Sequence, residues 1–141
     1  MAQYEHLPIY RAALKLAIHL ENVVRGFSRY NKYTLGSEMR RYAQDILGLI
    51  IRANSDRENR KDALVLLQSS VERLIVAARL CQETKGFKKF EGYATTVELA
   101  AQVARQNEGW LKSIRGSRDA GTAGLRPAGE QSTTVRPSRP E

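Results

Sequence analysis

The chain is poor in metal-holding side chains and, over most of its length, in residues that stop helices. Its 141 residues contain two histidines, His6 and His19, and one cysteine, Cys81. They form no ligand cluster at a useful spacing, so no metal site is expected. A single cysteine cannot close an internal disulfide, which fits a reducing compartment and an expected cytoplasmic location. Nothing in the chain approaches the roughly eighteen consecutive apolar residues of a membrane span. The first ten residues have no basic stretch leading into an apolar one, so no secretory signal is expected. Glycine-rich phosphate loops, Cys-x-x-Cys pairs and His-Glu-x-x-His motifs are missing. No catalytic residue and no cofactor is therefore expected, and the chain reads as something other than an enzyme. The carboxylates mostly have Lys or Arg at helical spacing and read as solvated helix faces. Cys81 beside Leu80 reads as a buried, inert thiol. His19, following Arg11 and Lys15, reads as part of a basic surface row, and Trp110 as core or interface packing.

Period-two alternation and Asn-Gly or Asp-Gly turns are absent too, which excludes a hairpin-built sheet. Helical periodicity is what remains. A first helix is expected over 7–27, started by Pro8, with Ala13, Leu16, Leu20, Val23 and Phe27 as its apolar stripe. A second is expected from Thr34, as N-cap, to Asn54. Ser55 and Glu58 have capping-box spacing for a third, with Gly86 as its C′ residue. A fourth starts near Phe87 to Phe90 and carries Val97, Ala101, Ala104, Leu111 and Ile114. The fold class is thus all-α, an antiparallel up-down-up-down four-helix bundle over residues 1–115. Residues 116–141 hold three of the four prolines and four of the ten glycines, and their only large aliphatics are Leu125 and Val135. They read as a disordered tail. Val24, Leu47, Leu49, Leu66 and Val76 do not fit one narrow stripe per helix. With small residues such as Ala12, Ala17, Ala43, Gly48 and Ala77, they point to spare apolar surface and self-association.

The charge is uneven. The chain carries +8, from 23 Lys and Arg against 15 Asp and Glu. The first interhelical link holds Arg25, Arg29 and Lys32 and no acid; the third holds Lys85, Lys88 and Lys89 and no acid. An up-down-up-down course brings these two links to one end. The second link, at the other end, balances Arg57, Arg60 and Lys61 against Asp56, Glu58 and Asp62. Phe27, Tyr30, Tyr33, Phe87 and Phe90 are interleaved with the six cations. Clustered cations with aromatics suit single-stranded or irregular nucleic acid, where phosphates supply affinity and exposed bases stack. The alternative is that the phenylalanines plug the core and the cations serve solubility. Arg105, Lys112 and Arg115 form a further basic row on the fourth helix.

Several stretches carry a resemblance: Leu7-Pro-Ile-Tyr-Arg-Ala-Ala-Leu14, Tyr30-Asn-Lys-Tyr-Thr-Leu-Gly36, Ile50-Ile-Arg-Ala-Asn54, Leu80-Cys-Gln-Glu-Thr-Lys-Gly-Phe87 and Gly109-Trp-Leu-Lys112. Over residues 7–115 the chain resembles the four-helix-bundle proteins related to the accessory variability determinant of diversity-generating retroelements. That fold family also includes proteins encoded by intervening sequences in bacterial large-subunit ribosomal RNA genes. The resemblance implies a bacterial or phage-encoded, non-catalytic subunit that forms a ring-like homopentamer. It also implies partners: the element's reverse transcriptase, its template RNA and the cDNA made with errors at template adenines. The family offers no fixed binding motif to carry over. The candidate nucleic-acid contacts are therefore Arg25, Arg29, Lys32, Lys85, Lys88, Lys89, Arg105 and Lys112, chosen on charge. The alternatives are a protein of the ribosomal-intervening-sequence type and a purely structural interaction bundle.

Overall fold

The computed structural model describes residues 3–123. Every regular element among them is helical. A 3-10 turn, Gln3–His6, leads into α1 (Pro8–Arg25), and a single turn, α2 (Arg29–Tyr33), follows. Three long helices follow among the described residues: α3 (Leu35–Ser55), α4 (Arg60–Glu83) and α5 (Phe90–Ala123). The four long helices form one bundle in which α1 packs on α3 and α5, and α4 packs on α3 and α5. No described helix is long and apolar enough to cross a membrane.

The core follows the periodicity. Leu16 and Leu20 of α1, Met39, Ile46 and Ile50 of α3, and Leu64, Leu67 and Leu74 of α4 are fully excluded from solvent. Each such burial contributes about 1.5–3 kcal/mol. Small residues lie in this seam as well as outside it: Ala12, Ala43, Ala77 and Ala100 are buried, which lets the helices approach closely. The stripe on α1 rotates at its end, where Val24 is buried and Val23 only half-buried. Val24 is thus a core residue rather than spare surface. Its position beside the Cβ-less Gly36 accounts for this, since Val24 fills the space that a side chain there would take. Leu66 and Val76 stay exposed, at 51% and 66%.

The end where α3 turns into α4 is built differently from the capping box expected of Ser55 and Glu58. Ser55 Oγ turns back to donate to the Ile51 carbonyl, at 3.1 Å. Asp56 instead closes the turn that precedes α4, accepting from the Asn59 amide nitrogen at 3.3 Å and from Asn59 Nδ2 at 2.9 Å, and no side-chain cap bond reaches α4 itself. These bonds hold the Asp56 carboxyl below its ordinary value. The helix accordingly begins at Arg60. Arg60 donates through Nε to the Ala53 carbonyl at 2.6 Å and through Nη2 to the Asn54 carbonyl at 3.2 Å. Its guanidinium lies 5.6 Å from the centroid of the Trp110 ring. One side chain thus ties together the end of α3, the start of α4 and the later part of α5.

Nearby, buried Asn107 of α5 donates through Nδ2 to the Leu64 carbonyl at 3.0 Å. Helix α5 runs to Ala123, eight residues past the expected boundary at 115. The breakers there are glycines, which weaken a helix by about 1 kcal/mol each without stopping it; the next proline is Pro127. Residues 124–141, the rest of the expected tail, lie outside the described residues.

Candidate nucleic-acid interface

Helix α1 ends at Gly26, and the chain turns so that the Phe27 amide donates to the Val24 carbonyl at 2.9 Å. That turn drives the Phe27 ring into the core, where it is 5% exposed. Ser28 then caps α2, its Oγ accepting from Asn31 Nδ2 at 3.1 Å and from the Asn31 amide at 3.4 Å. Thr34 closes the turn rather than capping α3. Its Oγ1 donates to the Tyr30 carbonyl at 2.7 Å, and no side-chain cap bond reaches α3. The start of α3 lies directly against this turn. A Cβ on Gly36 would sit 2.7 Å from Val24 Cγ1 and 2.9 Å from the Asn31 carbonyl oxygen. Only glycine fits there without moving α1 or α2. The glycine of the Tyr-Thr-Leu-Gly stretch is therefore a packing requirement of this end.

The third link is a Schellman turn with its residues exchanged from the usual order. The Gly86 amide donates to the Cys81 carbonyl at 2.7 Å, and the Lys85 amide to the Gln82 carbonyl at 3.0 Å. The left-handed C′ position belongs to Lys85, at φ 63°, and not to Gly86 as expected. Space decides the placement. A Cβ on residue 86 would run into Cys81 Sγ, so the glycine is needed one residue later than its φ preference suggests. Cys81 itself is fully buried, and burial raises its thiol pKa to about 11.

The two links meet. The rings of Phe27 and Phe87 pack edge-on at 5.3 Å, and Phe87 continues to Tyr93 at 5.8 Å. Asn31 of α2 lies beside the backbone of Gly86. Arg25, Arg29 and Lys32 thus belong to segments packed directly against those of Lys85, Lys88 and Lys89. Five of the six are exposed and Lys32 is half-buried. The ion pairs among the described residues are Arg40–Glu21 at 2.8 Å and Arg79–Glu83 at 3.1 Å, so none of the six is neutralised in this way. Arg105 and Lys112 are exposed on α5 but do not join them. At 1.5 Å per helical residue they lie about 22 and 33 Å beyond Phe90, towards the end where Arg60 covers Trp110.

The five interleaved aromatics divide. Phe27 and Phe87 close the core, while Tyr30, Tyr33 and Phe90 are 76%, 70% and 66% exposed. Two residues that sequence reading missed stand beside the tyrosines. Glu38 and Arg41, in the first two turns of α3, line a groove of about 820 Å³ with Tyr30, Tyr33, Leu35 and Leu80. The 3.6-residue period aligns positions 34, 38 and 41 on the α2 side of α3, which was the available signal.

His19 is half-buried and not part of a free basic surface row. Its Nε2 lies 2.9 Å from Thr96 Oγ1 and 3.2 Å from the Gly92 carbonyl oxygen, joining α1 to α5. Thr96 Oγ1 donates to that same carbonyl at 2.7 Å. Nε2 therefore carries the proton and donates into the pair. Burial lowers the His19 pKa, and the Gly92 bond only partly offsets it. Groups of three or more His, Cys, Asp or Glu able to hold a metal do not occur among the described residues. No protein-family model matches the sequence, and no curated protein is significantly similar to it.

Proposed function

We propose that this chain is a non-catalytic, nucleic-acid-binding bundle whose cationic end contacts phosphates. The packing of the first link on the third, through Phe27 and Phe87, carries the reading, because it gathers on neighbouring segments six cations with no ion pair among the described residues. Counterion release makes such a cluster favourable for any phosphate backbone. The same packing, together with Arg60 at the other end, supports an antiparallel up-down-up-down course. In this reading the bundle assembles into a ring-like homopentamer in the cytoplasm. It acts as the accessory subunit of a diversity-generating retroelement, binding the reverse transcriptase and template RNA during error-prone cDNA synthesis. The sequence resemblance supports that assignment, and the apolar residues exposed along α4, Leu66 and Val76, support self-association.

The test is a shift of labelled RNA by the purified protein at moderate salt, with light scattering on the same sample. The reading expects a salt-sensitive complex formed by an oligomer. A monomer that leaves RNA unshifted contradicts it and favours a purely structural interaction bundle, which the exposed α4 residues also suit. A neighbouring reverse-transcriptase gene with a template and variable repeat pair separates the retroelement assignment from the ribosomal-intervening-sequence one.

A further inference from the structure

The two tyrosines of α2 have no structural employment. Phe27, Phe87, Phe90 and Tyr93 each pack on another ring. Tyr30 and Tyr33 have no aromatic or cation–π partner among the described residues, although they are more than two-thirds exposed. Their position is nevertheless fixed. Ser28 caps the turn from one side, Thr34 Oγ1 holds the Tyr30 carbonyl from the other, and Gly36 lets α3 press against its back. A short turn pinned at both ends and displaying two bare rings is a platform.

Its surroundings select the occupant. Arg29 and Lys32 flank the rings in the chain, and the link of Lys85, Lys88 and Lys89 adjoins α2 through Asn31. The groove of about 820 Å³ beside the rings has a partly apolar floor, Leu35 and Leu80. Its walls offer hydrogen-bonding groups in Asn31, Ser37, Glu38 and Arg41. That volume lies in the range of small-molecule sites and is ample for one nucleotide. Glu38 repels a phosphate but accepts from a base amino group, and Arg41 donates to base carbonyl and ring-nitrogen acceptors. Cations on the adjoining segments, with rings and base-edge partners lining the groove, match a strand whose bases are unstacked. A duplex keeps its bases in the stack and cannot present one to the rings.

We propose that the groove beside α2 receives an unstacked base of single-stranded nucleic acid, with Tyr30 and Tyr33 as its stacking faces. The inference rests on the nucleic-acid reading of the cationic end and adds to it a preference for single strands.

The experiment compares binding of a labelled oligouridine and a labelled RNA duplex by the wild type, Tyr30→Ala/Tyr33→Ala and Tyr30→Phe/Tyr33→Phe, using fluorescence anisotropy. Both tyrosines are exposed, so circular dichroism should be unchanged in every variant. The alanine variant should lose about tenfold per ring on the oligouridine. It should bind the duplex as the wild type does and keep the wild-type salt slope. The phenylalanine variant, which retains both ring faces, should bind both probes normally. Equal losses on both probes, or no loss on the oligouridine, overturn the inference. If Lys85→Gln/Lys88→Gln/Lys89→Gln weakens binding while the alanine variant does not, the cationic end stands and the stacking groove alone falls. If the wild type binds neither probe, both fall together. If the alanine variant instead dissociates an oligomer in light scattering, the groove is a contact between copies and the inference is wrong.

Discussion

The rings of Phe27 and Phe87 meet edge-on with their centroids 5.3 Å apart, each almost fully buried. This contact joins two links that are remote in sequence and packs together the segments that carry the six cations. Truncating Phe87 to alanine removes the ring that touches both Phe27 and Tyr93. Phe87→Ala should cost about 3–4 kcal/mol in urea denaturation. It should also weaken RNA binding although no charge is lost. Normal affinity in a folded Phe87→Ala protein would show that the links need not be held together.

Lys85 occupies the left-handed region at φ 63°, which a side chain enters at a cost of about 1 kcal/mol. Lys85→Gly should therefore raise the denaturation midpoint, by about 1 kcal/mol in stability, while reducing RNA affinity. Stability and binding should move in opposite directions at this one position. A destabilised Lys85→Gly protein would contradict the turn as described.

Arg60 belongs to the charge-balanced end, yet it bridges the Ala53 and Asn54 carbonyls and covers Trp110. Arg60→Gln should cost about 2 kcal/mol, whereas exposed Arg57→Gln should stay within about 0.5 kcal/mol of the wild type. Trp110 is the only tryptophan. Its fluorescence should shift in Arg60→Gln and not in Arg57→Gln.

Burial holds the His19 imidazole below its ordinary 6.5. The unfolded chain then binds a proton at a pH where the folded chain does not. The His19 contribution is fully present above about 6.5. It is lost as the pH falls through the lower folded-state value. Denaturation midpoints between pH 7 and 5 should therefore decline more steeply in the wild type than in His19→Gln. Parallel declines would place His19 in water.

Residue patterns revealed the four long helices because their core positions recur every three or four residues and the breakers between them are strong. They were weaker where two local solutions compete within a residue or two. Val23 and Val24 are equally apolar; Val24 is buried where α3 approaches at Gly36, and Val23 stays half-buried toward Gly92 of α5. Ser55 and Asp56 can both cap a helix, yet neither caps α4: Ser55 turns back to Ile51, and Asp56 closes the preceding turn through its two bonds to Asn59. Gly86 announced a turn correctly, but its lack of a Cβ serves Cys81 rather than φ. The packing of the first link on the third was legible, because short links between four helices leave them few places to go. The division of the five aromatics into core and surface was not. Burial of Phe27 and exposure of Tyr30 depend on how tightly one helix closes on the next. The setting of His19 was illegible for the same reason, since its partners Gly92 and Thr96 lie 73 and 77 residues away in sequence.

The most direct test of the cationic end is the salt dependence of RNA affinity for three proteins. These are the wild type, Lys85→Gln/Lys88→Gln/Lys89→Gln, and a control at the opposite end, Arg57→Gln/Lys61→Gln, which spares the structural Arg60. In the wild type, log affinity should fall with log salt by about 0.7–0.9 for each phosphate contact. The triple variant should bind more weakly and with a flatter slope, to many sequences alike, because phosphate contacts carry no sequence information. The control should keep the wild-type slope. Equal flattening in the control and the triple variant would assign the effect to net charge and contradict a binding site at the end where Phe27 meets Phe87.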